Sequence, residues 1–262
     1  MLQKSVKKAF EKDGVYIWKK LIPSAKADDL RDLVLDMAEY EKKIGDKYIY
    51  PFDPSGKTQR VWNLTNKSQE FRSLLEIDEL NEMMNFIFAR STKHQLFHLS
   101  SFQANIISPG APKQKLHMDT PFPEPIPPWA AKANSIWMLN DFTEINGATE
   151  FLRGSHKIDR KPNQEADQEL PLELATGLKG SVLFTHGNLW HCAGANNSRD
   201  VRVGLLCSFA ASYMKEIASE EDQSIIISDS VKAELSDKLL AVLGVGHGIK
   251  QGAMVDHDEG KR

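Results

Sequence analysis

The chain is expected to adopt a mainly β fold with flanking helices, an antiparallel barrel or jelly roll packed against N-terminal helices. Three features predict this. The first third carries apolar residues at helical spacing. From about residue 95 the apolar runs become short, β-branched and aromatic. No long helical stretch separates those runs, which argues against alternating βαβ units and a parallel sheet.

The helical part is read from three segments. "SAKADDLRDLVLDMAEYEKK" opens on Ser24, a favourable N-cap, and places Leu30, Val34, Met37 and Ala38 on one face. "SQEFRSLLEI" and "DELNEMMNFIFAR" follow, with Phe71, Leu74 and Leu75 forming the stripe of one, and Leu80, Met83, Met84 and Ile87 that of the other. A Met-rich stripe at this spacing is core. The strands are "LFHLSSFQANIIS", "ANSIWMLNDFT", "GSVLFTH" and "VRVGLLCSFAASYM", each bounded by Gly, Pro, Asn or Asp. A last helix, "SVKAELSDKLLAVLG", is expected from near Ser230 to just before Gly244, followed by the polar "DHDEGKR". There is no internal repeat, so the chain divides as one domain: 1–92 mainly helical, 93–215 the β core, and 216–262 a C-terminal helix and polar tail.

Composition narrows the function classes. The 262 residues carry 33 basic and 36 acidic side chains, a formal net charge of −3, interspersed without a basic run. That is no electrostatic footprint for nucleic acid. Two cysteines, Cys192 and Cys207, make neither a disulfide framework nor a Cys-x-x-Cys zinc pattern, and reduced thiols suit the cytoplasm. "MLQKSVKKAFEKDG" lacks the apolar stretch of a secretory signal, and no apolar segment is long enough to span a bilayer. The expectation is a soluble cytoplasmic protein with a small-molecule partner. Its oligomeric state is open.

The chemistry begins at "KLHMDTPFPEPIPPW", residues 115–129, where His117 and Asp119 offer an imidazole and a carboxylate from one end of a strand. A metal needs a further ligand. "GSVLFTHGNLWHCAGANNSRDVRVGLL" supplies His186 and His191, with "GANNS" as a turn signal. A hairpin centred between Asn196 and Asn197 sets His191 opposite Arg202, on one face of the sheet. An arginine inside a barrel calls for an anion, here a carboxylate brought by a cosubstrate. Two histidines and one carboxylate with open coordination positions form the facial triad of non-haem iron(II) oxygenases.

His117-x-Asp119, "NDFTEINGATEFLRGSHK" (140–157) and "LWHCAGANNSRDVR" (189–202) resemble the phytanoyl-CoA dioxygenase family of iron(II)/2-oxoglutarate oxygenases, over about residues 10–215. The resemblance implies a double-stranded β-helix (jelly-roll) core, with Fe(II), 2-oxoglutarate and O2 as cofactors and cosubstrates. His117, Asp119 and His191 match the iron ligands, and Arg202 the residue that binds the C5 carboxylate of 2-oxoglutarate. Gln103 and Asn105 alternate onto one face of the preceding strand, where family members often place an amide for the cosubstrate. Thr149 offers a hydroxyl, and Trp137 sits where the family often has a tryptophan beside the cosubstrate. One departure is Ala193, where some members carry a serine two residues after the last iron histidine.

The implied activity is hydroxylation of an unactivated C–H bond in a small organic metabolite or natural-product intermediate, with release of succinate and CO2. Desaturation, epimerisation or ring formation with the same cofactors is the alternative. A non-enzymatic jelly-roll binding protein is a further one, argued against by the complete ligand set. Asp119 argues against halogenation, because related iron halogenases carry Ala or Gly there. Other features have blander readings. His94 and His98 have i, i+4 spacing but straddle a helix-to-strand boundary. His156 follows a Gly-Ser bend, and Glu150 lies near the motif without being taken as a ligand. His186 remains a second candidate for the pocket. Phe122 and Trp129 of the proline-rich segment, with Tyr48, Tyr50 and Phe52, are placed at the substrate mouth. Lys113 and Lys115 are a thin basis for a groove that takes CoA phosphates.

Overall fold

The structure is a computed structural model and describes residues 2–49, 53–92, 97–167, 169–214 and 227–244. Tyr50, Phe52, His94 and the "DHDEGKR" tail lie outside the described residues.

In chain order the elements are α1 (Lys4–Asp13), β1 (Val15–Trp18), α2 (Ser24–Lys43), β2 (Tyr48–Ile49), β3 (Thr58–Val61), α3 (Leu64–Lys67), α4 (Gln69–Leu75), α5 (Asp78–Phe88), β4 (Phe97–Ile107), β5 (Lys132–Met138), β6 (Thr149–Phe151), β7 (Glu173–Leu174), β8 (Val182–His186), β9 (His191–Ala193), β10 (Arg202–Ala211), α6 (Asp229–Lys232) and α7 (Asp237–Val242). The strands form two antiparallel sheets. The larger runs β1-β8-β5-β10-β4-β3-β2 and the smaller β7-β6-β9. This is the expected mainly antiparallel jelly roll, with helices to one side.

Period-two alternation explains how the large sheet serves two faces. On β4, Phe102, Ala104 and Ile106 enter the main hydrophobic core, which also holds Leu30, Val34, Phe71, Met83, Met84 and Phe88 from the helices. Gln103, Asn105 and Ile107 face the other way, into a cavity lined also by Thr149, His191 and Ala193 of the smaller sheet. β10 does the same: Val203, Cys207 and Phe209 go to the core, while Arg202, Gly204 and Ser208 go to the cavity. Edge-to-face packing of Phe71 on Phe102, with centroids 6.1 Å apart, ties α4 to the sheet.

Several local expectations need correction. β9 and β10 do not form a hairpin. β9 pairs with β6 of the small sheet, whereas β10 pairs with β4 and β5 of the large one. The "GANNS" segment is a crossover, pinned where the Asn196 side chain donates to the carbonyls of Ile107 and Asp200. Ser24 is the first helical residue of α2, and Pro23 holds the N-cap position with no side-chain cap bond. The single C-terminal helix is two. Ser228 caps α6 and Ser236 caps α7, each accepting a backbone N–H three residues on, so the second serine starts a new helix inside the predicted one. α1 and β1 were not marked by the sequence reading, and β1 extends the large sheet beside β8.

Candidate metal centre

His117 lies in the strand-like segment that follows the β4 turn. It exchanges both backbone hydrogen bonds with His191 of β9, at 3.0 and 2.9 Å. This brings the two imidazoles together, with ring centroids 4.5 Å apart. Asp119 is held by its own N–H, which donates to the Gly187 carbonyl at 2.9 Å. One ligand atom from each of His117, Asp119 and His191 lies within 4.8 Å of the others, and His191 Nε2 is 3.6 Å from Asp119 Oδ2.

The histidine tautomers follow from their partners. His117 Nδ1 lies 2.8 Å from the Lys115 carbonyl, and His191 Nδ1 2.9 Å from that of Leu189. A carbonyl only accepts, so each Nδ1 carries the proton and each Nε2 lone pair is free for a metal. Burial and then His191 push the His117 pKa down, which keeps it neutral as a ligand must be. Burial alone would raise the Asp119 carboxyl. His191, His117, the Asn134 hydrogen bond and the Lys132 charge together hold it below the ordinary carboxylate range.

Arg202 supplies the second test of fit. Its side chain is buried, with 4% of the residue exposed, and neither Nε nor Nη1 has a hydrogen-bond partner in the protein. The guanidinium stacks on Phe142, 4.3 Å from the ring centroid. Gly204 makes this possible, since a Cβ there would sit 3.0 Å from Phe142 Cζ. Burial without an anion depresses the Arg202 pKa to about 9. A desolvated guanidinium with idle donors, facing the same cavity as the triad, suits a carboxylate ligand. Two neutral imidazoles and one carboxylate suit Fe(II).

The cavity between the sheets measures about 280 Å³ and brings together His117, Asp119, His191, Arg202, Gln103, Asn105 and Thr149. The amide oxygens of Gln103 and Asn105 are buried there without partners. Trp137 is the exception and a correction. It points to the opposite face of β5, fully buried in the helix-side core, with its indole N–H donating to Ser135 Oγ. The residues of that strand on the cavity face are Lys132, Asn134 and Ile136. Asn134, Lys132 and Phe142 were not singled out from the sequence. Period-two reading of "KANSIWM" puts Lys132 and Asn134 on one face, and that was the available signal.

The remaining candidates separate cleanly. His186 is not among the residues that line the cavity with His117, Asp119 and His191; it lies beside His156 at a 5.2 Å centroid distance, and its Nδ1 accepts the Asn188 N–H. His156 lies in a single turn of 3-10 helix (Ser155–Lys157) that follows Gly154, rather than in a plain turn, and its side chain is buried. His98 is on a strand, where i, i+4 spacing does not build a helical metal site. Glu150 pairs with Lys113 at 2.6 Å. Trp129 is exposed and donates to the Tyr213 hydroxyl at 3.0 Å, and Tyr48 packs edge-to-face on Trp62.

The model of the phytanoyl-CoA dioxygenase family matches residues 10–204, most of the chain, a span that includes His117, Asp119, His191 and Arg202. The chain belongs to the phytanoyl-CoA dioxygenase family. Dioxygenase FUM3 of Gibberella moniliformis is 28% identical over 246 residues, covering 90% of this chain and 80% of that protein. An Fe(II)/2-oxoglutarate-dependent dioxygenase, nvfF of Aspergillus novofumigatus, is 29% identical over 211 residues, covering 74% and 67%. Among solved structures, HygX of Streptomyces hygroscopicus, crystallised with nickel, 2-oxoglutarate and hygromycin B, superposes with a TM-score of 0.66 at 16% identity, covering 82% of this chain and 90% of that one. As a phytanoyl-CoA dioxygenase family member, the chain is an enzyme, an iron(II)/2-oxoglutarate-dependent dioxygenase. No helix among its described residues is long and apolar enough to cross a membrane.

Proposed function

We propose that this dioxygenase hydroxylates an unactivated C–H bond of a small organic metabolite or natural-product intermediate. In that reaction one oxygen atom of O2 enters the product hydroxyl. The other enters succinate as 2-oxoglutarate loses CO2. The observation that carries the reading is the buried, unpartnered Arg202 guanidinium facing the His117, Asp119 and His191 cluster across one cavity.

His117 and His191 would present Nε2 to the iron, each ring locked by its Nδ1–H to a carbonyl. Asp119 would be the carboxylate ligand, steadied by Asn134 Nδ2 donating to Oδ2 at 2.6 Å. Arg202 would hold the far carboxylate of 2-oxoglutarate, with Gln103, Asn105 and Thr149 on the surrounding walls. When bound, iron and 2-oxoglutarate together supply the oxidising power, which no amino-acid side chain provides. The protein's part is to orient both partners and to exclude water. Asp119 occupies the position that would have to be vacated for a halide, which favours oxygen insertion over halogenation.

The test is an anaerobic titration of metal-free protein with Fe(II) and then 2-oxoglutarate, following the weak visible charge-transfer band of the chelate. The band should form in the wild type and be absent in His191→Ala. A wild type that binds Fe(II) without the band would defeat the cosubstrate assignment. Once a substrate is found, product mass sorts the outcomes. Hydroxylation gains one oxygen, desaturation and ring closure lose two hydrogens, and epimerisation leaves the mass unchanged.

A further inference from the structure

The cavity holds two hydroxyls that neither a metal nor a cosubstrate accounts for. Strand register shows where they lie. Along β10, Arg202 is level with Ile107 of β4 at one end. Ser208, farther along, is level with Ser101 of β4 and with Asn134 of β5. Asn134 Nδ2 donates to Asp119 Oδ2 at 2.6 Å, so the row Asn134, Ser208 and Ser101 runs past the metal cluster. At about 3.3 Å per residue, Arg202 is roughly 20 Å of strand from that row. A cosubstrate stretched between the metal and Arg202 fills the Arg202 side of the cavity. The serine row is left to the molecule that is oxidised.

Both serines line the cavity, Ser101 on the face of β4 that carries Gln103 and Asn105, and Ser208 on the face of β10 that carries Arg202 and Gly204. Ser101 is buried, with 4% of the residue exposed. Neither hydroxyl has a hydrogen-bond partner among the described residues. Asn134, the third member of the row, is already engaged through Nδ2 with Asp119 and, at 3.4 Å, with Thr185 Oγ1. One step towards Arg202 the neighbouring row is Ile136, Leu206 and Gln103, so apolar side chains flank the serines on that side. Opposed residues of paired strands have Cβ atoms about 5 Å apart, close enough for one oxygen atom to meet both hydroxyls. Each hydroxyl can donate and accept. A hydrocarbon laid there would bury two hydroxyls without partners, whereas an oxygen substituent would satisfy them.

We propose that Ser101 and Ser208 together bind an oxygen substituent of the primary substrate, a hydroxyl or a carbonyl, and so set the neighbouring C–H bond at the metal. The substrate is then an alcohol or a ketone rather than a plain hydrocarbon chain. This rests on the proposed cofactors, so the test reads cofactor binding and substrate binding separately.

The protein is loaded with Fe(II) and 2-oxoglutarate under argon, and shifts of the visible band are titrated with matched probes: cyclopentanol and cyclopentanone against methylcyclopentane. In the double variant Ser101→Ala with Ser208→Ala, the affinity of each oxygenated probe relative to methylcyclopentane should fall about tenfold from its wild-type value, as the loss of two hydrogen bonds predicts. Each single variant should lose about threefold. The band itself, and the 2-oxoglutarate concentration that half-forms it, should be the same in all four proteins. A relative affinity that is unchanged in the double variant overturns the proposal, as does a wild-type band that the oxygenated probes do not move. A folded double variant that forms no band assigns the serines to the metal centre and overturns the proposal too. Should the double variant not fold, the single variants decide by the same reading. A wild type that forms no band defeats the cofactor reading, and this proposal with it.

Discussion

At the scale of single residues the site is a set of unmet demands. Arg202 is the clearest. In the absence of an anion its buried guanidinium is a liability, because a desolvated charge is stabilised only by a partner. Arg202→Met should therefore stabilise the cofactor-free protein by on the order of 1 kcal/mol after the lost contact with Phe142 is offset, read as a higher melting temperature. In protein already loaded with Fe(II), the same variant should show little further rise on adding 2-oxoglutarate, whereas the wild type should. A destabilised cofactor-free Arg202→Met would mean that the guanidinium is satisfied in a way that its bare Nε and Nη1 do not suggest. Asn134 makes the complementary case. It fixes one carboxylate oxygen of Asp119, and Asn134→Ala should weaken Fe(II) binding by about 10- to 100-fold, as loss of a partner behind a metal ligand does elsewhere. Iron affinity unchanged in Asn134→Ala would remove it from any role in orienting the ligand.

At the scale of elements, the alternation on β4 and β10 divides labour between a dry face and a reactive one. Phe102 belongs to the dry face, 1% exposed and packed on Phe71 of α4. Phe102→Ala should destabilise the fold by about 3–5 kcal/mol, seen as a lower denaturation midpoint in urea. Because Gln103 points the other way, the surviving folded fraction should still form the Fe(II)/2-oxoglutarate band with unchanged affinity. A loss of affinity without loss of stability would show that the two faces are coupled.

At the scale of the whole molecule, acid is the predicted weakness. His186 is packed where α1 meets the large sheet, and burial followed by the neighbouring His156 drives its pKa down to about 3. Burial also lowers His156, whose Nε2 contacts the Glu11 carbonyl on α1. In the unfolded chain both titrate near 6.5. Below that pH the unfolded state binds more protons than the folded one, so stability falls as pH drops from about 6.5 toward 3, and is fully present above 6.5. Thermal melts of metal-free protein between pH 7.5 and 5 should show this decline, and His186→Gln should flatten it. Equal slopes for the two proteins would exclude His186 as its source.

The sequence by itself determined the class of the fold and pointed to the residues that the structure gathers around one cavity. Both are carried by local pattern: helical spacing before residue 95, alternating runs after it, a His-x-Asp, and an ordered His and Arg farther on. The residues His117, Asp119, His191 and Arg202 do share one cavity. The route by which they meet was decided by tertiary structure. His191 and Arg202 were expected as neighbours across a hairpin, yet they stand on different sheets facing each other, because β9 is three residues long and finds its partner in β6. Trp137 and Asn134 show the same limit on one strand. Alternation says that they lie on opposite faces, but only the pairing of β5 with β8 and β10 says which face is the cavity. A one-residue change of register would exchange them. Local chemistry specifies which side chains are offered. Long-range strand pairing, which no short window of sequence contains, decides where they point.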